Sequence, residues 1–317
     1  MEIGIIASLI KKVDQTNLSA DLFYLAKNPL PCRTLNFTLP GHTKCTLHEA
    51  DDFIEKKLTA WGYEVGKEAV PVQVFRPDNA ETHGFRKPKS SEPWYDAYNL
   101  YAKKVGKNHP DELVVVIAHK DSQSWLNCAP GAHDNAVGTV GTLEIARLLS
   151  DYASHRSIWF IFCNEEHWPW TSVTVAQNLA KSDFEVIAAL NIDGIGGRSR
   201  QDRAGGRMVN VTRFSSPEGE RFAELMTRLN ERYHIGLIQK KYYCAEANDD
   251  DGSFIKAGMP ASVLNIGSFP YAEPNYHSEK DVPENVDLQN VKLATQLSLA
   301  AVMHLDIHGN DAMTDKS

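Results

Sequence analysis

Two rhythms of apolar residues run through this chain and alternate with each other. MEIGIIASLIKKVDQ, at the start, has a short apolar patch followed by two lysines and reads as a first helix. Residues 47–61 carry Phe53, Ile54 and Leu58 at helical spacing. AVPVQVF at 69–75 alternates apolar with polar and predicts a strand. Residues 77–96 are polar and broken by proline and glycine, so they predict a long loop. ELVVVIAH at 112–119 is apolar throughout, as in a strand covered on both faces. WLNCAPGAHDN at 125–135 predicts a loop, and 136–150 a helix with Val137, Val140, Leu143 and Ala146 three apart.

The same unit then recurs. SIWFIFC is a strand and TSVTVAQNLA a helix; FEVIAALNI is a strand that runs into the glycine-rich GIGGRSR. Residues 217–233 predict a helix with proline in its first turn. ASVLNIG at 261–267 is a short strand, and 284–306 a long final helix. Strands of the buried type alternating with helices predict an α/β fold, a three-layer α/β/α sandwich around a mainly parallel mixed sheet. Neither a linker nor an internal repeat divides the pattern, so residues 1–317 are expected to form a single domain with its long loop at 77–96.

Composition narrows the function classes. The formal charge is -8 over 317 residues, which argues against a nucleic-acid-binding face. No apolar run reaches the roughly 18 residues of a membrane span. At the N-terminus the charge follows the apolar patch, the reverse of a secretory signal. The cysteines Cys32, Cys45, Cys128, Cys163 and Cys244 are odd in number and widely spaced, without CxxC. That favours a reducing compartment and a cytoplasmic location, while leaving room for one disulfide and three free thiols.

The polar residues at the strand ends suggest a site. His119 and Asp121 follow the first central strand, Glu165 and Glu166 the second, and Asp193 the third. Asp134 precedes a helix and His277 lies in a loop. Open parallel sheets build their sites outside the carboxyl ends of their strands. Any one of these acids alone would read as solvated, and Asp134 alone as a helix cap. Together, carboxylates and imidazoles suit Zn²⁺, Co²⁺ or Mn²⁺. Their number suits two ions, one carboxylate bridging and each ion keeping one His and one further acid. His119 and Asp121 are two apart, so in an extended segment they point the same way and Asp121 can orient the imidazole.

AHKDS, PGAHDNAVG, CNEEHW, LNIDGIG and YHSEKD occur in an order and spacing that resembles the M28 family of zinc aminopeptidases, from about residue 17 to 305. The resemblance implies a zinc-exopeptidase-like fold and a peptide substrate. It implies two divalent ions, most simply zinc, held by His119, Asp134, Glu166, Asp193 and His277, with Asp134 as the bridge. Glu165 is then the general base for a metal-activated water, and Asp121 supports His119. An aminopeptidase is the leading expectation. The alternatives are an N-acyl amino acid hydrolase or carboxypeptidase-like enzyme on the same scaffold, or a non-enzymatic binding protein; glutaminyl cyclases share the fold with one zinc.

Three segments depart from the family's usual pattern. His133 stands where Asp is usual, as a supporting residue or an extra imidazole beside the metals. HWPWTS replaces a small glycine-rich segment, so Trp168 and Trp170 form either a wall of the substrate pocket or a cover on the sheet edge. In 244–258, CAEANDDDGSFIKAG, the residues Glu246, Asp250 and Asp251 either bind the substrate's ammonium group or make a solvated acidic loop. Lys120 and Lys280 read as surface lysines. The sequence does not decide the oligomeric state.

Overall fold

The computed structural model describes residues 2–314. Residues 1 and 315–317, the extremes of the expected single domain, lie outside the described residues. The chain begins with α1 (Glu2–Lys11), α2 (Gln15–Ala26) and α3 (Thr46–Ala60). It continues through β1 (Val65–Val74), β2 (Arg76–Pro77), β3 (Phe85–Arg86), β4 (Trp94–Lys104), β5 (His109–His119), α4 (Val137–Leu149) and β6 (Arg156–Cys163). Next come β7 (His167–Trp168), α5 (Ser172–Leu179), β8 (Glu185–Ile192), α6 (Arg200–Ala204), β9 (Val209–Phe214) and α7 (Pro217–Arg232). The last elements are β10 (Ile238–Tyr243), α8 (Asp250–Lys256), β11 (Ser262–Ile266) and α9 (Leu288–His308).

The main sheet has the order β10-β9-β11-β8-β5-β6-β4-β1-β7. Its centre, β11-β8-β5-β6, is parallel, and antiparallel pairs flank that centre on either side. Pleat alternation on β5 builds the two cores. Val114 and Val116 face a core made with α1, α2, α4, α7 and α9, whereas Leu113, Val115 and Ile117 face Val175, Leu179 and Phe254 of α5 and α8. This is the expected three-layer sandwich, and it places the carboxyl ends of β5, β6 and β8 side by side.

Several expectations change. Residues 77–96 are not wholly loop: β2 and β3 form a small hairpin, and β4 begins at Trp94. The sequence reading left out α2, β4, β9 and β10. Helix α2 is capped by Asp14, whose carboxylate accepts the Thr16 N–H at 2.8 Å, and it buries Leu18, Leu22 and Leu25. Strand β9 is buried throughout yet carries Asn210, Thr212 and Arg213, which masks its apolar rhythm. Strand β10 is the sheet's exposed edge, with Tyr243 61% exposed. Cys32 and Cys128 form a disulfide, and Cys45, Cys163 and Cys244 are free, the one-disulfide arrangement that the spacing left open. Among the described residues no helix is long and apolar enough to cross a membrane.

Arg33, next to that disulfide, is fully buried and ties the site loops to α2. Its guanidinium donates to the carbonyls of Leu25, Lys120, Pro130 and Gly131 at 2.6–2.8 Å. Burial brings its pKa down to about 10, with Asp121, Asp281 and Asp134 opposing that shift. Arg33→Met would leave four carbonyls without this donor. It is expected to cost about 3–5 kcal/mol, the range for breaking a buried charged contact, read as a lower urea midpoint at unchanged m-value.

Candidate metal centre

His119 ends β5, and its backbone pairs with Cys163 at the end of β6. Its Nδ1 lies 3.2 Å from Asp121 Oδ1, as the two-residue spacing predicts. Asp121 does more than orient that ring. It accepts the N–H groups of Glu165 and Glu166 at 3.0 and 2.8 Å, and its Oδ2 lies 2.7 Å from His167 Nδ1. One buried carboxylate thus fixes the end of β5 against the turn after β6. Burial would raise its pKa, but the hydrogen bonds from His119 and His167 outweigh that and hold it well below the usual range.

Asp134 sits in a distorted turn, Ala132–Ala136, that precedes α4. Gly131 opens this turn at φ +56°, and a Cβ there would stand 2.3 Å from the Asp134 carbonyl oxygen, so glycine is required. Asn135 ties the turn to β8: its Nδ2 donates to the Ile192 carbonyl at 2.9 Å, and its Oδ1 accepts from Gly138 and Gly194 at 2.8 and 3.1 Å. Asp281 ties it to the His277 loop by accepting the N–H groups of His133 and Asp134 at 2.8 and 3.1 Å. Gln123 donates to Asp134 Oδ2 at 2.8 Å. His277 has φ +52°, a left-handed conformation that costs a non-glycine residue roughly 1–2 kcal/mol. The surrounding contacts hold it there.

These ties bring the five candidate ligands together. His119 Nε2 lies 3.2 Å from Asp134 Oδ1 and 3.7 Å from Asp193 Oδ1. His277 Nε2 lies 3.0 Å from Asp134 Oδ2 and 3.6 Å from Glu166 Oε1. Donor atoms of His119, Asp134 and Glu166 all fall within 4.8 Å of one another, a spacing that could hold an ion. The electrostatics also fit a cation. Burial and the nearby Asp134 push Glu166 up to about 8. Burial also brings Asp193 up to about 7, despite the His119 hydrogen bond. Burial alone would lower His277, but Asp134 and Glu166 bring it up to about 10. The mixed imidazole and carboxylate set therefore suits zinc.

Glu165 lies beside this set, partly exposed, with its Oε2 accepting the Asp250 N–H at 3.1 Å. Burial of its carboxyl, with Asp250 and Asp249 nearby, pushes its pKa well above the usual range. Asp250 and Asp251 are fully buried at the start of α8, not on a solvated loop. Cys163 Sγ donates to Asp250 at 2.9 Å, and Arg213 holds Asp251 at 2.6 Å and also pairs with Asp249. Glu246 is exposed and stands outside this cluster.

Trp168 is half-buried in β7, which pairs with the end of β1 and so covers the sheet edge. It also ends an aromatic row: Phe75 lies 6.4 Å from it, Phe85 4.7 Å from Phe75, Trp125 4.0 Å from Phe85, and His277 5.0 Å from Trp125. The hairpin inside 77–96 thus walls the His277 side of the centre. Trp170 is half-buried beyond Pro169. His133 is buried against Asp281, Nδ1 to Oδ1 2.7 Å. Lys120 is not a surface lysine: it is fully buried, 3.0 Å from Asp51 and 2.6 Å from Asn164. Lys280 is exposed, as expected. Sequence reasoning missed Gln123, Asn135, His167 and Asp281 as supports, although all four lie within or next to the motif segments.

A probable aminopeptidase of Saccharomyces cerevisiae is 26% identical over 219 residues, 66% of this chain and 57% of that protein. A probable zinc metalloprotease of Pyrenophora teres is 31% identical over 213 residues, 58% of this chain and 44% of that protein. The chain therefore spans about half the length of these curated relatives. Among solved structures, LapB from Legionella pneumophila superposes with a TM-score of 0.73 at 20% identity, covering 96% of this chain and 75% of that one. A Bacteroides thetaiotaomicron glutaminyl cyclase shares the fold at 0.68 and 15% identity, covering 92% and 97%. The model of peptidase family M28 matches residues 99–302, most of the sheet and every candidate ligand, and the chain belongs to that family.

Proposed function

We propose that this protein is a dinuclear zinc exopeptidase, most simply an aminopeptidase that hydrolyses the N-terminal bond of a peptide. The observation that supports this is the placement of Asp134, whose two oxygens face two different imidazoles. Each imidazole has one further carboxylate, Asp193 beside His119 and Glu166 beside His277. His119, Asp134 and Asp193 would hold one ion; His277, Asp134 and Glu166 would hold the other. Zinc bound there supplies Lewis acidity toward the scissile carbonyl and lowers the pKa of water.

Glu165 accepts the proton of the attacking water and passes it to the leaving amine. Burial, with Asp250 and Asp249 nearby, strengthens the hold of the Glu165 carboxylate on a proton, the direction a proton carrier needs. Asp121 acts through others, by fixing His119 and the backbone of Glu165 and Glu166. The charge of the site favours an amine over a carboxylate. Arg33, Lys120 and Arg213, all fully buried, are committed to backbone carbonyls, to Asp51 and to the acids of α8. None is left for a substrate carboxylate, whereas Glu165 and its neighbours attract an ammonium group. Substrates with free and blocked amines test this: turnover of blocked substrates only would point to the acyl-amino hydrolase instead.

Glu165→Gln is expected to lower kcat by about 10²–10⁴-fold while two zinc ions per chain remain by mass spectrometry. Full activity in that variant would remove Glu165 from the base role. A chelator should abolish turnover, and added zinc should restore it. Zinc must displace the protons held by Glu166, near 8, Asp193, near 7, and His277, near 10. Apparent zinc affinity is therefore expected to rise with pH between about 6 and 10, with proton release on binding; a pH-independent affinity in titration calorimetry would contradict this.

A further inference from the structure

Lys120 directly follows the candidate ligand His119 and is fully buried. Every polar group it carries is engaged. Its N–H donates to the Cys163 carbonyl at 2.9 Å, and its own carbonyl accepts Arg33 Nε at 2.6 Å. Its Nζ donates to Asn164 Oδ1 at 2.6 Å and lies 3.0 Å from Asp51 Oδ1 in α3. Asp51 is also fully buried, and its oxygens accept no hydrogen bond, so the approach of Lys120 Nζ is what balances them. Burying such a pair costs desolvation that its mutual attraction often only offsets. A methionine of similar reach would fill the space without that cost, so packing does not explain a lysine here.

Asn164 stands immediately before Glu165. Its N–H donates to Thr171 Oγ1 at 2.8 Å, its carbonyl accepts the Thr171 N–H at 3.0 Å, and its Nδ2 donates to the Tyr98 carbonyl at 3.1 Å. Lys120 takes the remaining atom, Oδ1, and so sets which way the amide faces. Asp121 meanwhile accepts the N–H groups of Glu165 and Glu166. Two adjacent residues, whose side chains diverge in an extended segment, thus grip residues 164–166 from two sides. The carboxylate of Glu165 has a single hydrogen bond, from the Asp250 N–H, so its aim depends on the backbone beneath it.

We infer that Lys120 is a positioning residue for Glu165: through Asn164 it fixes the backbone that directs the Glu165 carboxylate toward the ligand set. The inference rests on the reading of Glu165 as the base. Helix α3, through Asp51, then supports the reaction although it contributes no ligand.

The test measures kcat, KM and zinc content of the full chain with alanyl and leucyl p-nitroanilides. Lys120→Met keeps the length of the side chain and removes the donor. It is expected to lower kcat about 10–100-fold, with KM nearly unchanged and zinc content as in the native chain. It also leaves Asp51 buried without a partner, so Lys120→Met is combined with Asp51→Leu. Removing both charges should restore the urea midpoint but not kcat. Native kcat in Lys120→Met, or recovery of kcat together with stability in the double variant, overturns the inference. A further variant combines Lys120→Met with Glu165→Gln. If Lys120 acts through Glu165, its loss costs nothing more once that carboxylate is gone, and the fold-change should fall to about one. An undiminished fold-change overturns the inference and leaves Glu165 in its role; full activity of Glu165→Gln alone overturns both. If the native chain turns over neither anilide, the aminopeptidase reading fails, and the same variants are compared on N-acetyl-leucine, whose hydrolysis uses the same base. No turnover of that substrate either overturns the inference as well.

Discussion

Buried carboxylates facing one another are the constraint around which this structure is arranged. Asp121, Asp134, Glu166 and Asp193 are 0, 4, 6 and 5% exposed, and they crowd one edge of the sheet. Removed from water, such groups repel each other and favour their neutral forms. The protein divides them. Asp121 and Asp134 each have two imidazole partners and are held down, whereas Glu166 and Asp193 have one each and are pushed up. That split is what a site looks like when it is prepared for positive charge. It also explains why so much neighbouring structure serves as ties: without Arg33, Asn135 and Asp281 the loops could relax apart and let water in.

The layers of the fold were legible because burial on both faces gives β5, β6 and β8 unbroken apolar runs. The elements missing from that reading share a physical cause. Strand β9 places Asn210 and Arg213 inside the protein, where Asn265 pairs with the first and Asp249 and Asp251 with the second, so its polarity reflects tertiary partners and not solvent. Strand β10 lies at the edge and needs little apolar surface. Strand β4 mixes tyrosine and asparagine with alanine, which dilutes the alternation. The polar run at 77–96 hid a hairpin because its contacts are aromatic and distant in sequence, from Phe85 to Trp125 and on to His277.

The ligand candidates were proposed for a different reason: His119, Glu166 and Asp193 stand where strands end, a pattern in one dimension, and the resemblance to the family added Asp134 and His277 to the set. The supports were not, because each acts across a long separation. Asp281 reaches 148 residues back to His133, and Asn135 57 residues forward to Ile192. The acidic run at 249–251 misled in the same way. Three acids in a row suggest solvation, but Arg213, 36 and 38 residues upstream of Asp249 and Asp251, lets the segment be buried.

The departures from the family pattern therefore do unequal things. His167 shares Asp121 with His119, so the HW after the paired glutamates begins as part of the frame that aims those glutamates. Trp168 then extends an aromatic row on the His277 side of the centre. His133 is different in kind. Its Nδ1 is used by the frame, facing Asp281, while its Nε2 stands 3.5 Å from Glu273 without a hydrogen bond. A frame residue is normally satisfied on every polar atom, because an orphan costs stability and returns nothing. The imidazole of His133 stands instead between two carboxylates, Asp281 at 2.7 Å and Glu273 at 3.5 Å.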